Sequence, residues 1–302
     1  MLSHQLRQAH ISRICCPLLK QANQLGGTIM NDPGVRATFA GNIPQLYEEY
    51  LVPLIFEPYA TDLGSRVASC QPSRVLEIAA GTGVVTRQLA KNLPAGVSIV
   101  ATDLSQAMLD QAAAVGVARA VEWRQADALQ MPFPDEAFDA VVCQFGVMFF
   151  PDKARAFSEA RRVLRPGGRF MFNVWDSIDK NEFADAVTSA LEVLFPNDPP
   201  RFLARIPHGY HDPAVIERDL AQGGFTKPPN VVTMTARSRA STARVPAVAY
   251  CQGTPLRSEI EALGASRLAE ATDKAADAMA RQFGPGPVDG KIQALVIAAE
   301  RQ

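Results

Sequence analysis

From residue 75 the chain alternates in a way that few architectures accommodate. Short β-rich runs at Val75–Ala79, Val97–Thr102, Val121–Gln125, Asp139–Gln144 and Arg169–Val174 predict strands, with helical segments beginning near Val84, Ser105, Pro151 and Asn181. Strands separated by helices pair in parallel. Right-handed crossovers then place helices on both faces of the sheet. The expected class is therefore α/β, with a largely parallel sheet.

Two stretches fall outside the alternation. Residues 44–70 read as two helices broken by Pro53 and Pro58, with Leu46, Tyr47, Tyr50, Leu51, Leu54 and Ile55 as their buried stripe. After Trp175 come an amphipathic helix at Glu182–Phe195, a helix at Pro213–Gln222 ended by Gly223-Gly224, and a strand at Val231–Ala236. Helical stretches near 255–263 and 265–282 and a strand at Lys291–Ala299 follow. Residues 1–29 carry no sustained apolar stripe and precede Met30, so the expectation is a disordered or non-native arm with the natural start at Met30. The expected organisation is an arm at 1–29, a helical lid at 30–70, a core at 71–175, a helical insertion at 176–225 that also closes the site, and a segment at 226–302 that completes the sheet.

Composition narrows the function classes. A net charge of −1, from 30 Lys+Arg against 31 Asp+Glu, gives no global field to draw in nucleic acid or anionic lipid. The local cluster Arg161, Arg162, Arg165 and Arg169 reads as solvated surface. Five cysteines without a CxxC pair suit a reducing cytoplasm, and four histidines leave few ligands for a metal, so no metal is expected. No apolar run approaches the roughly 18 residues of a membrane span.

The strongest local signal is Val75-Leu76-Glu77-Ile78-Ala79-Ala80-Gly81-Thr82-Gly83-Val84-Val85-Thr86, a buried strand turning through glycines into a helix. Glycines there allow positive φ and close backbone approach, and the helix start offers free N–H groups. The loop suits a nucleotide or an amino-acid carboxylate. Asp103 ends the second strand 20 residues beyond Gly83, where an acid can accept both ribose hydroxyls of an adenosine. NAD and S-adenosylmethionine (SAM) enzymes share that feature. Here Val84-Val85-Thr86 stand where a dinucleotide loop has its third glycine, which counts against NAD or FAD. Asp127, in Gln125-Ala126-Asp127-Ala128, can accept from an adenine amino group. Phe138-Asp139-Ala140-Val141-Val142 and Leu164-Arg165-Pro166-Gly167-Gly168 follow in order.

Taken together, Glu77–Gly83, Asp103, Asp127-Ala128, Phe138–Val142 and Leu164–Gly168 resemble the class I SAM-dependent methyltransferases, in the branch of the ubiquinone/menaquinone-biosynthesis C-methyltransferases. The resemblance covers roughly residues 40–180. It implies a Rossmann-like sheet, mostly parallel with the last strand antiparallel, and SAM as cofactor. It further implies that Ala79, Gly81 and Gly83 line the methionine end, that Glu77 helps hold the amino group, and that Asp103 binds the ribose. Leu104 would flank the adenine, Asp127 and Ala128 bind its edge, Gln144 sit behind the sulfonium, and Met108 also belong to the cofactor site. Ala79 departs from the family, which usually has its first glycine there.

Methyl transfer from a sulfonium needs mainly alignment and desolvation, and a base only where the acceptor arrives protonated. The acceptor is therefore the least legible part. Gln144-Phe145-Gly146-Val147 replaces the Asp/Asn-Pro-Pro-aromatic signature of amino-group enzymes, and no carboxylate cluster of the metal-dependent catechol type is evident. A small organic acceptor is expected, with no nucleic-acid partner; a homodimer stays open. Tyr47, Tyr50, Phe56, Glu57 and Tyr59 are candidates to face it, and Tyr47, His208 and His211 are the candidate catalytic groups. His211, beside Asp212 and Pro213, could instead cap the next helix. The competing readings are a non-catalytic SAM-binding partner, an RNA or protein methyltransferase, and a nicotinamide oxidoreductase.

Overall fold

The computed structural model describes residues 41–264 and 266–302; the expectations for 1–29 lie outside them. Seven strands form one sheet: β1 (Arg74–Ile78), β2 (Ser98–Asp103), β3 (Glu122–Gln125), β4 (Phe138–Gln144), β5 (Leu164–Trp175), β6 (Asn230–Ala240) and β7 (Val288–Glu300). Their order is β3-β2-β1-β4-β5-β7-β6. The first five pair in parallel, and β7 runs antiparallel between β5 and β6. The central strands read as near-continuous apolar runs because helices cover both faces. Val75, Leu76, Ala140, Val141, Val142, Cys143, Phe170 and Phe172 are all buried.

The segment before β1 departs from expectation. The chain is not broken at Pro53. A helical turn, Ile43–Leu46, continues through α1 (Tyr47–Phe56) into α2 (Glu57–Ser69). Proline has no N–H and its ring crowds the carbonyl four residues back, so an α-helical ladder cannot pass it intact. Here α1 widens to a π-helix instead, and the Glu57 N–H reaches the Val52 carbonyl, five residues back. Pro58 sits in the first turn of α2, where a missing N–H costs little. Gly64 lets α2 approach α3 (Val84–Asn92), since a Cβ there would lie 2.9 Å from that of Gln88.

The remaining helices are α4 (Gln106–Val115), α5 (Lys153–Val163), α6 (Glu182–Leu194), the single turn α7 (Phe202–Arg205), α8 (Pro213–Gln222), α9 (Arg244–Gln252), α10 (Leu256–Ala262) and α11 (Arg267–Phe283). Helix α9 escaped the sequence reading because Pro246 looks like a breaker; it lies in the first turn, whose N–H groups have no helical partner anyway. Of the arginine cluster, Arg162 is a structural clamp rather than solvated surface. Its guanidinium donates to Glu159, Asp135 and the carbonyls of Met131 and Phe133, pinning the β3–β4 connection.

Candidate active site

β1 pairs with β2 on one side and β4 on the other, so the sheet reverses its winding between β1 and β4. Chains leaving the carboxyl ends of those strands diverge and open a crevice. A cleft of about 1420 Å³, counting its open mouth, occupies it. The turn after β1 forms the floor. Ala79, Gly81 and Gly83 have φ of +54°, +56° and +85°. For the two glycines this is free; for Ala79 the left-handed conformation costs roughly 1–2 kcal/mol. The alanine's methyl is accommodated across the crevice, where a Cβ on Gly146 would lie 2.6 Å from it. Above Gly81 the space is open, with only the Tyr47 hydroxyl 4.0 Å from where a Cβ would stand. Gly83 instead faces packing: a Cβ would meet Trp123 at 3.0 Å and Ala112 at 3.3 Å.

The Asp103 carboxylate knits this floor together. Its Oδ2 accepts the Gly81 N–H and its Oδ1 the Ser105 N–H, both at 2.8 Å. Burial raises its pKa, and those backbone bonds oppose the rise. Each oxygen retains capacity for another donor. Leu104, Met108, Ala126, Asp127 and Ala128 continue the same wall, and Asp127 Oδ1 accepts the Leu129 N–H at 2.9 Å. Glu77 lies beneath the loop rather than on the cleft wall. The Thr86 hydroxyl donates to it at 2.6 Å, and burial pushes its carboxyl up to about 8, against the pull of Thr86 and Arg87. Arg87 ties the lid to the loop, with an ion pair to Glu48 at 2.7 Å and a bond to the Thr82 carbonyl at 2.8 Å.

The π-helix α1 supplies one wall of the cleft. Tyr47, Leu51, Ile55 and Phe56 line it, whereas Tyr50 and Glu57 do not, and Tyr59 is buried behind Phe145 and Trp175. Burial, then Asp103 and Glu48, hold the Tyr47 phenol protonated well above the ordinary tyrosine range, so its hydroxyl serves as a donor rather than a base. Phe145 follows β4 at φ +49°, a strained value for a bulky residue. Its N–H is held by the Asn173 carbonyl at 3.1 Å and its ring stacks on Trp175 at 3.8 Å. Gln144 donates to the Phe56 carbonyl at 3.3 Å, and its Oε1 is buried with no partner.

The insertion supplies Phe202, Leu203, Pro207 and His208. A third wall, which sequence reasoning missed, comes from Tyr250, Gly253, Thr254 and Pro255 after α9. His211 is off the cleft. Its Nδ1 donates to the His208 carbonyl at 2.8 Å, and Asp212, not His211, caps α8 by accepting the Ala214 N–H.

The Methyltransferase domain family matches residues 76–172, the stretch that carries this floor. The fold is similar to that of the YcgJ protein of Bacillus subtilis, with a TM-score of 0.51 at 18% identity, covering 81% of this chain and 99% of that one. The chain carries a class I SAM-dependent methyltransferase domain. Over 102 residues it is 44% identical to a demethylmenaquinone methyltransferase of Thermus thermophilus, covering 33% of this chain and 46% of that protein. The chain thus spans about half the length of that relative. A ubiquinone/menaquinone biosynthesis C-methyltransferase of Marinomonas sp. is 26% identical over 212 residues, 66% of this chain and 78% of its own. The family match stops at residue 172, so it does not reach the segments 202–208 and 250–255 that wall the far end of the cleft.

Proposed function

We propose that this chain transfers a methyl group from SAM to a small, flat, largely apolar acceptor. One observation carries the reading: a single cleft joins the methyltransferase floor, with Gly81, Asp103 and Asp127, to a chamber walled by Phe56, Phe145, Phe149, Trp175 and Phe202. The floor fits SAM. The open space over Gly81 and the unfilled acceptor capacity of Asp103 are what an amino-acid tail and a ribose require. SAM supplies a methyl group already activated on a positive sulfur. The residues do the rest. Asp103 holds ribose hydroxyls, Asp127 and Ala128 the adenine edge, and Gln144, at the end of β4, sits behind the sulfur. Tyr47 donates beside Gly81. The aromatic walls exclude water and align a ring face, which is most of what an in-line displacement asks of a protein.

Aromatic walls and two relatives named for quinone-pathway methylation favour an aromatic acceptor over RNA or protein. A macromolecule would also need a basic approach that a net charge of −1 does not suggest. The free Cys70, Cys143 and Cys251 suit a reducing cytoplasm, and no helix among the described residues is long and apolar enough to cross a membrane. Calorimetry with SAM and with S-adenosylhomocysteine, followed by transfer of radiolabelled methyl to hydroquinones and phenols, tests the reading. Failure of both cofactor forms to bind would overturn it.

A further inference from the structure

One side chain is out of keeping with the apolar chamber. His208 lies on its wall among Trp175, Phe202, Leu203 and Pro207, buried to 5% exposure, with its ring 5.9 Å from that of Trp175. Its Nδ1 lies 2.8 Å from the Asp176 carbonyl oxygen. A carbonyl can only accept, so Nδ1 carries the proton and Nε2 keeps a bare lone pair. No described residue hydrogen-bonds Nε2, yet it is not among the atoms sealed from solvent without a partner. It therefore opens into the cleft. The His211 Nδ1–H holds the His208 carbonyl at 2.8 Å, so His208 is fixed at both its backbone and its ring Nδ1.

The geometry points to His208 as the proton acceptor of the chamber: Nε2 takes the proton of an acidic hydroxyl on the acceptor, which makes phenols and enols the acceptor class. This rests on the methyltransferase reading above. The O–H bond breaks with its electron pair left on oxygen, and the proton forms an N–H bond on Nε2. The phenolate's electrons form the new bond to the methyl carbon, and the S–C pair stays on sulfur. The imidazolium then returns its proton to water. Two titratable neighbours face the ring. Burial lowers the His208 pKa to about 4, opposed by Asp176 and reinforced by His211, so the imidazole is neutral at physiological pH and its lone pair is available. A phenolate forming beside it restores basicity by pairing with the imidazolium, so the base strengthens as the acceptor ionises. Gln144 Oε1, the other unpartnered acceptor nearby, is sealed from the cleft, and a neutral amide does not hold a proton.

The test uses the full chain loaded with S-adenosylhomocysteine, whose binding is first verified by calorimetry; no binding there refutes the methyltransferase reading itself. Diethylpyrocarbonate in mildly acidic buffer should carbethoxylate His208, mapped by mass spectrometry, and 4-nitrophenol should protect it. The probe's absorbance then reports its ionisation. Bound to the parent protein, 4-nitrophenol should ionise at a pH where the free probe is mostly neutral, shifting its apparent pKa by roughly one unit or more, a tenfold change in ionised fraction. His208→Asn keeps an N–H for the Asp176 carbonyl and removes Nε2. It should still bind the probe, as the neutral phenol, with its melting temperature little changed. An unlabelled His208, a probe that does not bind, or equal ionisation in parent and variant would each overturn the proposal.

Discussion

Replacing Asp103 by asparagine separates a floor built on charge from one built on shape. The carboxylate accepts two backbone N–H groups, of Gly81 and Ser105, at 2.8 Å each. Asparagine is nearly isosteric but has one oxygen. Whichever way it turns, its NH2 faces one of the two donors. One charge-assisted bond worth about 1.5–3 kcal/mol is lost and the other falls to about 0.5–1.5, so the fold should lose about 2–4 kcal/mol. At about 2–4 °C per kcal/mol for a chain of this size class, the melting temperature should fall by roughly 5–15 °C. The same change removes the charge that ribose hydroxyls would bond, costing a further 1.5–3 kcal/mol, or about 10- to 100-fold in affinity for S-adenosylhomocysteine. Asp103→Ala should be no worse than the isostere, since water can satisfy the freed N–H groups. Calorimetry and thermal melts of the three proteins decide it. An asparagine variant with parental melting temperature and affinity would refute both the two-bond account of the loop and Asp103 as ribose ligand.

Three further outcomes follow from the same geometry. Gly146→Ala would bring a methyl within 2.6 Å of both Ala79 Cβ and Cys143 Sγ, so it should cost about 1–3 kcal/mol in urea unfolding. Ala79→Gly should recover part of that loss, with a coupling above roughly 0.5 kcal/mol, and purely additive effects would show that the two positions do not share the space. Glu77, raised to about 8 by burial, binds a proton in the native state that the unfolded chain releases near 4.5, so its contribution to stability is full below pH 4.5 and is lost as pH rises through 8. Glu77→Gln should flatten that decline, and parallel urea-midpoint profiles of parent and variant would refute the buried protonated state. Tyr47→Phe keeps the 4.9 Å stack on Phe56 and removes only the hydroxyl beside Gly81, so it should weaken S-adenosylhomocysteine by about tenfold without lowering stability, and an unchanged Kd would remove Tyr47 from the cofactor site.

The two halves of the cleft differ in what sequence can say about them, and the reason is physical. The floor is written in residues whose demands are local. Gly81 and Gly83 must adopt positive φ at a strand–helix turn, and Asp103 must end the neighbouring strand, so both motif and spacing survive in one dimension. Even there Ala79 concealed its strain, because only the structure shows that Gly146, far along the chain, vacates the volume its methyl fills. The chamber obeys no such rule. Its walls come from five separate segments, 47–56, 145–150, 175–181, 202–208 and 250–255, and which side chain faces inward depends on helix phase. The i, i+4, i+8 spacing of an α-helix already groups Tyr47, Leu51 and Ile55 on one face, with Tyr50 and Leu54 beside them. The structure sets Tyr47, Leu51, Ile55 and Phe56 on the cleft and leaves Tyr50 off it, a choice within the stripe that periodicity alone does not make. This division matches the chemistry. A cofactor that arrives activated requires one fixed floor, whereas its acceptor needs only a dry chamber of suitable shape. Asp103 bonds the floor's own backbone, at Gly81 and Ser105, so the chamber walls can differ without disturbing either bond.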